Sequence, residues 1–329
     1  MGSIVSINGA EPLGGSHMRD RRLGRTAAVL AAVMIPAGVL AACGAKDTAG
    51  PPTARTGTGA APTAAATVAV AADGDFDPRH FSHPTTIDNP WTPLRPGMQY
   101  VFEGSANRGH GRRSHQVITT ITDLTKVIDG VRAVVIWERD INGGRLLEGE
   151  LAFQAQDDDG NVWNLGEYPE EYAGGRVDGA PDTWIAGVAG ARSGIMMRAA
   201  PRPGTPSYRQ GFAPTIEFAD RAKVLRTGLR QCVPLRCFTD VLVTDETNPN
   251  EPADGHQRKF YAAGIGPIRA APVGGAEREV LVLTQVTRLD PAALQTVRER
   301  ALGVDRRAYT VSRRVYARTP RAVPGAVAP

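Results

Sequence analysis

Three of the 329 residues are cysteine and six are histidine. The chain therefore has few of the side chains that hold transition metals or attack a substrate as thiolate. No H-E-x-x-H pair occurs. The histidines are scattered, with His80 and His83 ahead of the first predicted strand, His110 and His115 around a loop, and His256 at a strand start. Any zinc or copper site would have to be assembled by the fold, so the expected cofactor is none, with a divalent cation as the weak alternative. Ser193-Gly194 lacks the preceding G-x of a nucleophile elbow. Gly264-Ile265-Gly266-Pro267 lacks the later glycine of a dinucleotide loop, and its proline blocks a helix start.

Long apolar runs are missing too. The longest candidate, Thr26 to Leu40, falls short of the roughly 18 residues that span a bilayer, and Pro36 interrupts it. It follows Arg19, Arg21, Arg22 and Arg25 and ends at Ala41-Ala42-Cys43, the order of charge, apolar run and small residues found in a secretory signal. Leu40-Ala41-Ala42-Cys43 has the form of a bacterial lipobox. In such a motif the cysteine thiol takes a diacylglycerol thioether, further acylation adds a chain such as palmitate, and Cys43 becomes the first mature residue. An ordinary signal peptide with an incidental cysteine, or a membrane-spanning helix, is the competing reading. Arg21-Arg22 invites a twin-arginine export reading that its flanks fit poorly. Gly15-Ser16-His17-Met18 looks like a vector scar, and an over-extended start accounts for 1–17 equally well. The expectation is a signal peptide over 1–42.

Gly44 to Asp75 is almost entirely Ala, Thr, Gly and Pro, too poor in large apolar side chains to offset the entropy of ordering it. Residues 43–75 read as a lipidated cysteine and a disordered tether, whose coil spans about 30 Å. The formal charge of +4 does not describe what the tether carries. Of 38 basic and 34 acidic residues, four Arg and two acids lie in 1–43, and six Arg and one Asp lie in 302–329. The remaining 44–301 hold 28 basic and 31 acidic groups. A nucleic-acid partner is thereby excluded as a reading of overall charge. The segment 304–329 reads as a basic, flexible tail.

Cys232 and Cys237 frame a four-residue turn between strand-like runs. Outside the cytoplasm such a pair is expected as a disulfide that pins a hairpin. Two further ligands for a metal reading of C-x4-C are absent nearby.

From Met98 the pattern is β. Gln116 to Thr122 is β-branched almost throughout. Asp129-Gly130 between two apolar runs is a strong hairpin signal, and Asn142-Gly143-Gly144 marks another turn. Leu147, Gly149, Leu151 and Phe153 alternate with Glu148, Glu150 and Ala152. Turn signals recur through Leu289 without alternating long helices. The predicted fold is mainly β: a single antiparallel curved sheet, half-barrel or barrel-like, over 76–303. One C-terminal helix is signalled by Asp290 as N-cap, Pro291 at its first position, Ala292 to Leu302 as body and Gly303 as its end.

Candidate sites are few. Asp157, Asp159 and Asn161 have the alternate spacing of a calcium loop, but the glycine falls at the fourth position and no glutamate occupies the twelfth, so a hairpin turn explains the same letters. Glu167, Glu170 and Glu171 lie with Tyr168 and Tyr172 after Trp163; paired carboxylates there could do acid/base work or hold a cation. Glu148 and Glu150 join them if that strand face lines a cavity.

The segments Pro96 to Gly104, Lys126 to Val135, Ala155 to Trp163 and Tyr261 to Gly266 together resemble a group of secreted, mostly actinobacterial hypothetical proteins over roughly 81–290. These are hairpin motifs, and what the resemblance implies is fold, with no chemistry attached. In outline such domains also look like half-barrel lipoproteins that carry lipids or acyl chains. The leading expectation is a monomeric, non-enzymatic lipoprotein on the extracytoplasmic face of the cell membrane. It binds a small apolar or amphipathic ligand against Trp137, Phe153, Trp163 and Trp184 in a concave sheet. The rivals are a metal- or carboxylate-dependent envelope hydrolase using some of Glu148, Glu150, Glu167, Glu170 and His256, and an envelope scaffold showing an exposed apolar patch.

Overall fold

The structure is a computed structural model that describes residues 75–107, 111–275 and 278–325. The segments expected as signal peptide and tether up to residue 74, with Cys43, and also His110 lie outside the described residues. No helix among the described residues is long and apolar enough to cross a membrane.

The first half of the chain is a meander: β1 (Met98–Asn107), β2 (Arg112–Ile128), β3 (Val131–Asn142), β4 (Arg145–Gln156) and β5 (Val162–Ala173). Its turns are those the sequence marks. Asp129 and Gly130 both take positive φ, 47° and 82°, as a two-residue hairpin turn requires, and Gly143 and Gly144 do the same. At the next turn Asp157 is fully committed. Its carboxylate accepts from the backbone N–H and side chain of Asn161 and from Trp163 Nε1, so the turn explanation of these letters stands. Five short strands follow: β6 (Arg176–Gly179), β7 (Trp184–Ile185), β8 (Arg192–Met197), β9 (Tyr208–Arg209) and β10 (Gly211–Phe212). The second half is another meander, β11 (Arg221–Val233), β12 (Arg236–Thr247), β13 (His256–Ala262), β14 (Gly266–Val273) and β15 (Val280–Arg288).

All of these belong to one antiparallel sheet of 16 strands, in the order β10-β8-β5-β4-β3-β2-β1-β15-β14-β13-β12-β11-β9, with two short strands and a terminal one off this path. The sheet is mainly β architecture as expected, open rather than closed into a barrel. Its two margins nevertheless meet. The strands β9 and β10 are halves of one segment separated only by Gln210: Tyr208 and Arg209 pair with Ala222 and Arg221, whereas Gly211 and Phe212 pair with Ser193 and Arg192. This seam demands close approach, for a Cβ on Gly194 would stand 2.4 Å from the carbonyl carbon of Gln210.

Two apolar cores result, one on each face of the curve. The inner core gathers Tyr100, Phe102, Val117, Ile136, Ile195, Met197, Val241, Leu242 and Leu283. On the outside, Val135, Leu151, Phe153 and Tyr168 pack under the helix α1 (Pro291–Val311). Asp290 caps α1 through its side chain and Pro291 opens it, but the helix does not stop at Gly303. That glycine lacks the positive φ of a terminating position. Val297, Ala301, Val304 and Ala308 continue one buried stripe across it.

The expected loose tail also differs. The chain runs on through helix, a 3-10 turn at Tyr316–Arg318 and β16 (Val323–Pro324), which pairs with Thr125 and Leu124 of β2. Its arginine content concealed the reason. Tyr316 is fully buried, and Lys126 reaches out of the sheet to the Pro320 carbonyl at 2.6 Å. At the Cys232–Cys237 disulfide the cysteines are directly paired across the β11–β12 hairpin.

Candidate functional site

Strand alternation puts every second side chain on the inner face. On β3 that face begins apolar, with Val134 and Ile136, and ends acidic, with Glu138 and Asp140; on β4 it carries Glu148, Glu150, Ala152 and Gln154. Strand β5 breaks its alternation at Gly166, opposite a register shift at Phe153 and Gln154. Asn164 and Glu167 thereby come to one side, where Asn164 Nδ2 donates to Glu167 Oε1 at 2.7 Å and Trp184 Nε1 donates to Oε2 at 3.0 Å.

The other half of the sheet answers with Asp220, Glu246, Lys259, Tyr208 and Tyr261. Glu246 Oε1 accepts from Thr244 Oγ1 at 3.1 Å and Tyr261 OH at 3.2 Å, and Oε2 lies 2.8 Å from Lys259 Nζ. The two halves form one electrostatic unit. Burial pushes the Glu150 carboxyl well above the usual range, reinforced by Glu167, Glu148 and Glu138 and opposed by Lys259. Asp220 is pushed up likewise by burial, then by Glu167 and Glu246, with Lys259 again in opposition. Glu167 is raised to about 7 by burial, while its hydrogen bonds from Asn164 and Trp184 pull the other way. Nearby, His115 is clamped between Asp140 and Glu279, each 3.3 Å from one ring nitrogen. It stands in β2 and is buried, instead of in the loop that the sequence implied.

Two of these carboxyls stand apart. Glu150 is 2% exposed and Asp220 0%, and among the described residues neither has a hydrogen-bond partner for either oxygen. Both side-chain atoms of the Gln154 amide, Gln210 Oε1 and the Tyr208 hydroxyl are buried and unpartnered as well. Acceptors outnumber donors in this set, so its chemistry is that of a receptor for N–H groups. A buried polar group left without a partner costs roughly 1–3 kcal/mol, so this cluster is held at the expense of stability. No group of three or more His, Cys, Asp or Glu among the described residues is arranged to hold a metal ion.

The five carboxylate and histidine candidates separate. Glu148, Glu150 and Glu167 share the inner face. Glu170 faces outward and is taken by Arg307 at 2.7 Å and by the Tyr168 and Tyr172 hydroxyls. His256 is half exposed at the rim, 2.9 Å from Asp245. The four aromatic candidates occupy three clusters. Trp163 belongs to the inner core, Trp137 and Phe153 to the outer one, and Trp184 to a small third cluster with Phe218. A void inside the curve, bounded by Thr92, Tyr100, Phe102, Thr119 and Ile265, measures about 10 Å³, room for a single water. Sequence reasoning passed over Glu138, Asp220, Glu246 and Lys259. For Glu138 the usable signal was its placement in step with Val134 and Ile136 on one strand.

No protein-family model matches the chain, and no curated protein matches it. Among solved structures, a "putative exported protein with YmcC-like fold" from Bacteroides fragilis NCTC 9343 is similar at 12% identity, covering 60% of this chain and 98% of that one, with a TM-score of 0.33. A "putative lipoprotein" from Parabacteroides distasonis ATCC 8503 is similar at 9% identity, covering 60% and 99%, also at 0.33. Neither is an actinobacterial protein. At this score the present fold rests on its own ladders.

Proposed function

We propose that this chain is an extracytoplasmic binding protein, held to the cell membrane by acylated Cys43 and its tether, that takes a small amphipathic ligand inside the curve of its sheet, the inner core parting beyond its water-sized void to admit it. The Glu150 carboxyl carries the reading: buried, unpartnered, and set where the acidic sector of the inner face adjoins the apolar one. A ligand with a protonated amine would give its N–H donors to Glu150 and Asp220 and lay its apolar part along the inner core. Charge-assisted bonds of that kind offset the cost of burying both partners. The seam at Tyr208–Phe212 supplies the way in, since each of its ladders is only two residues long, and the Asp220 backbone carbonyl accepts the Gln210 backbone N–H beside it at 2.7 Å. Catalysis is not part of this reading, because Glu170 and His256 stand away from the inner carboxylates.

The test is native mass spectrometry of the protein purified from its own membranes. A retained small molecule is expected in the wild type and lost in Glu150→Gln and Asp220→Asn. A domain that is empty in repeated membrane preparations sinks the reading.

A further inference from the structure

The outer face presents the opposite chemistry. Trp137 and Arg139, two residues apart on β3, point to the helix side, and the Arg139 guanidinium lies 4.7 Å above the Trp137 ring. Trp137 is only 7% exposed, yet its indole N–H has no acceptor among the described residues, and the buried Arg139 Nε has none either. The helix flank over them brings another cation. Trp137 shares its core with Val297, Ala301 and Val304, and Arg300 stands exposed on the turn between those residues. Burial lowers the readiness of Arg139 to hold its charge, and Arg300 lowers it further by repulsion. Arg307, seven residues on along the same flank, is neutralised by Glu170. Arg139 and Arg300 have no such carboxylate among the described residues. Two guanidinium groups and an indole N–H with no acceptor are an anion site in their donor inventory and their charge.

We propose that Trp137 Nε1, Arg139 and Arg300 form a binding site for a phosphate-bearing anion at the edge of α1. Arginine forks suit the tetrahedral oxygens of a phosphate, and the indole N–H supplies a neutral third donor. Two sources share this chemistry: the headgroup of an anionic phospholipid, within reach of a domain tethered to the bilayer, and a soluble phosphate compound.

The experiment titrates the full chain, purified from membranes in a non-ionic detergent, with dihexanoyl-phosphatidylglycerol in one arm and inorganic phosphate in the other. Both are read by calorimetry at matched ionic strength. Saturation at one site per chain is expected. Arg139→Gln and Arg300→Gln should each weaken it about tenfold or more, and Trp137→Phe by a few-fold, as loss of charged and neutral donors respectively implies. Arg313→Gln, which removes an exposed charge beyond the end of the helix, should leave it unchanged, separating a built site from diffuse attraction. Saturation by phosphatidylglycerol alone identifies a lipid headgroup, and saturation by phosphate identifies a soluble source; both support the site. Absence of saturation in both arms overturns it, as does unaltered binding in Arg139→Gln and Arg300→Gln.

Discussion

Lys126 Nζ lies 3.2 Å from Asp305 Oδ1 across 179 residues of sequence, with both side chains sealed from water. The ammonium also donates to Tyr309 OH at 3.0 Å and sits 4.1 Å from the centroid of the Tyr316 ring. Asp305 Oδ1 accepts from Tyr316 OH at 2.7 Å and from the Ala322 backbone N–H at 3.3 Å. This one ion pair therefore ties sheet, helix and C-terminal segment together.

Removing one partner leaves the other charge buried. Lys126→Met should cost about 3–5 kcal/mol in urea unfolding and open the segment after Val311 to trypsin. Burial lowers the Lys126 pKa from 10.5 to about 8. Between those values the unfolded chain binds more protons at this position than the folded one, so the group makes stability rise with pH from about 8 toward 10.5. Relative to Lys126→Met, the wild type should gain stability across that window; a pH-independent difference refutes the assignment.

Glu167 gives the opposite sign. Its folded pKa of about 7 stands above the ordinary 4.5, so its contribution is complete below 4.5 and is lost as pH climbs toward 7. Glu167→Gln keeps an acceptor for one of the two donors, Asn164 or Trp184, and removes the titration. Urea midpoints measured from pH 4 to 8 should flatten in the variant by up to about 1.4 kcal/mol per pH unit, the slope of one proton.

The seam is sensitive to a single carbon. In Gly194→Ala the new methyl would meet Gln210 backbone at 2.4 Å and Arg209 backbone at 2.6 Å, neither able to move as a flexible side chain does. We expect a loss of about 1–3 kcal/mol, the usual range for forced overpacking. Amide exchange should rise first at Tyr208–Phe212 and along β8.

The disulfide acts locally. Reducing Cys232–Cys237 frees a loop closed over a sequence separation of 5, worth about 2 kcal/mol in the chain-entropy account. Exchange protection should fall in the β11–β12 hairpin and hold in β2 and β3.

Much of the fold was legible because turns are local. Asp129-Gly130 and Gly143-Gly144 announce their hairpins, and Asp290-Pro291 the helix start. What escaped depended on distant partners. Gly303 looks like a stop until Ala308 is seen buried, and the terminal arginines look loose until Lys126 is found beneath them. The acidic face of β4 was legible as a face, but its direction was not, since alternation is silent about which side the sheet curls toward. Lys259 and Asp220 carry no local mark, because only the curl brings them within electrostatic range of Glu150 and Glu167.

The order of strands has a consequence for synthesis. Each meander can zip up from its own hairpins, but the long ladder between them joins Met98 to Arg288 and Ser105 to Val280, the first strand of the one to the last of the other. A chain emerging from its N-terminus must therefore hold β1 as a bare edge, open to pairing with other chains, until nearly the whole domain has been made. Chain-to-chain adhesion before the domain is complete, more than instability of the finished domain, is the hazard built into this topology, and it is β15 that ends it.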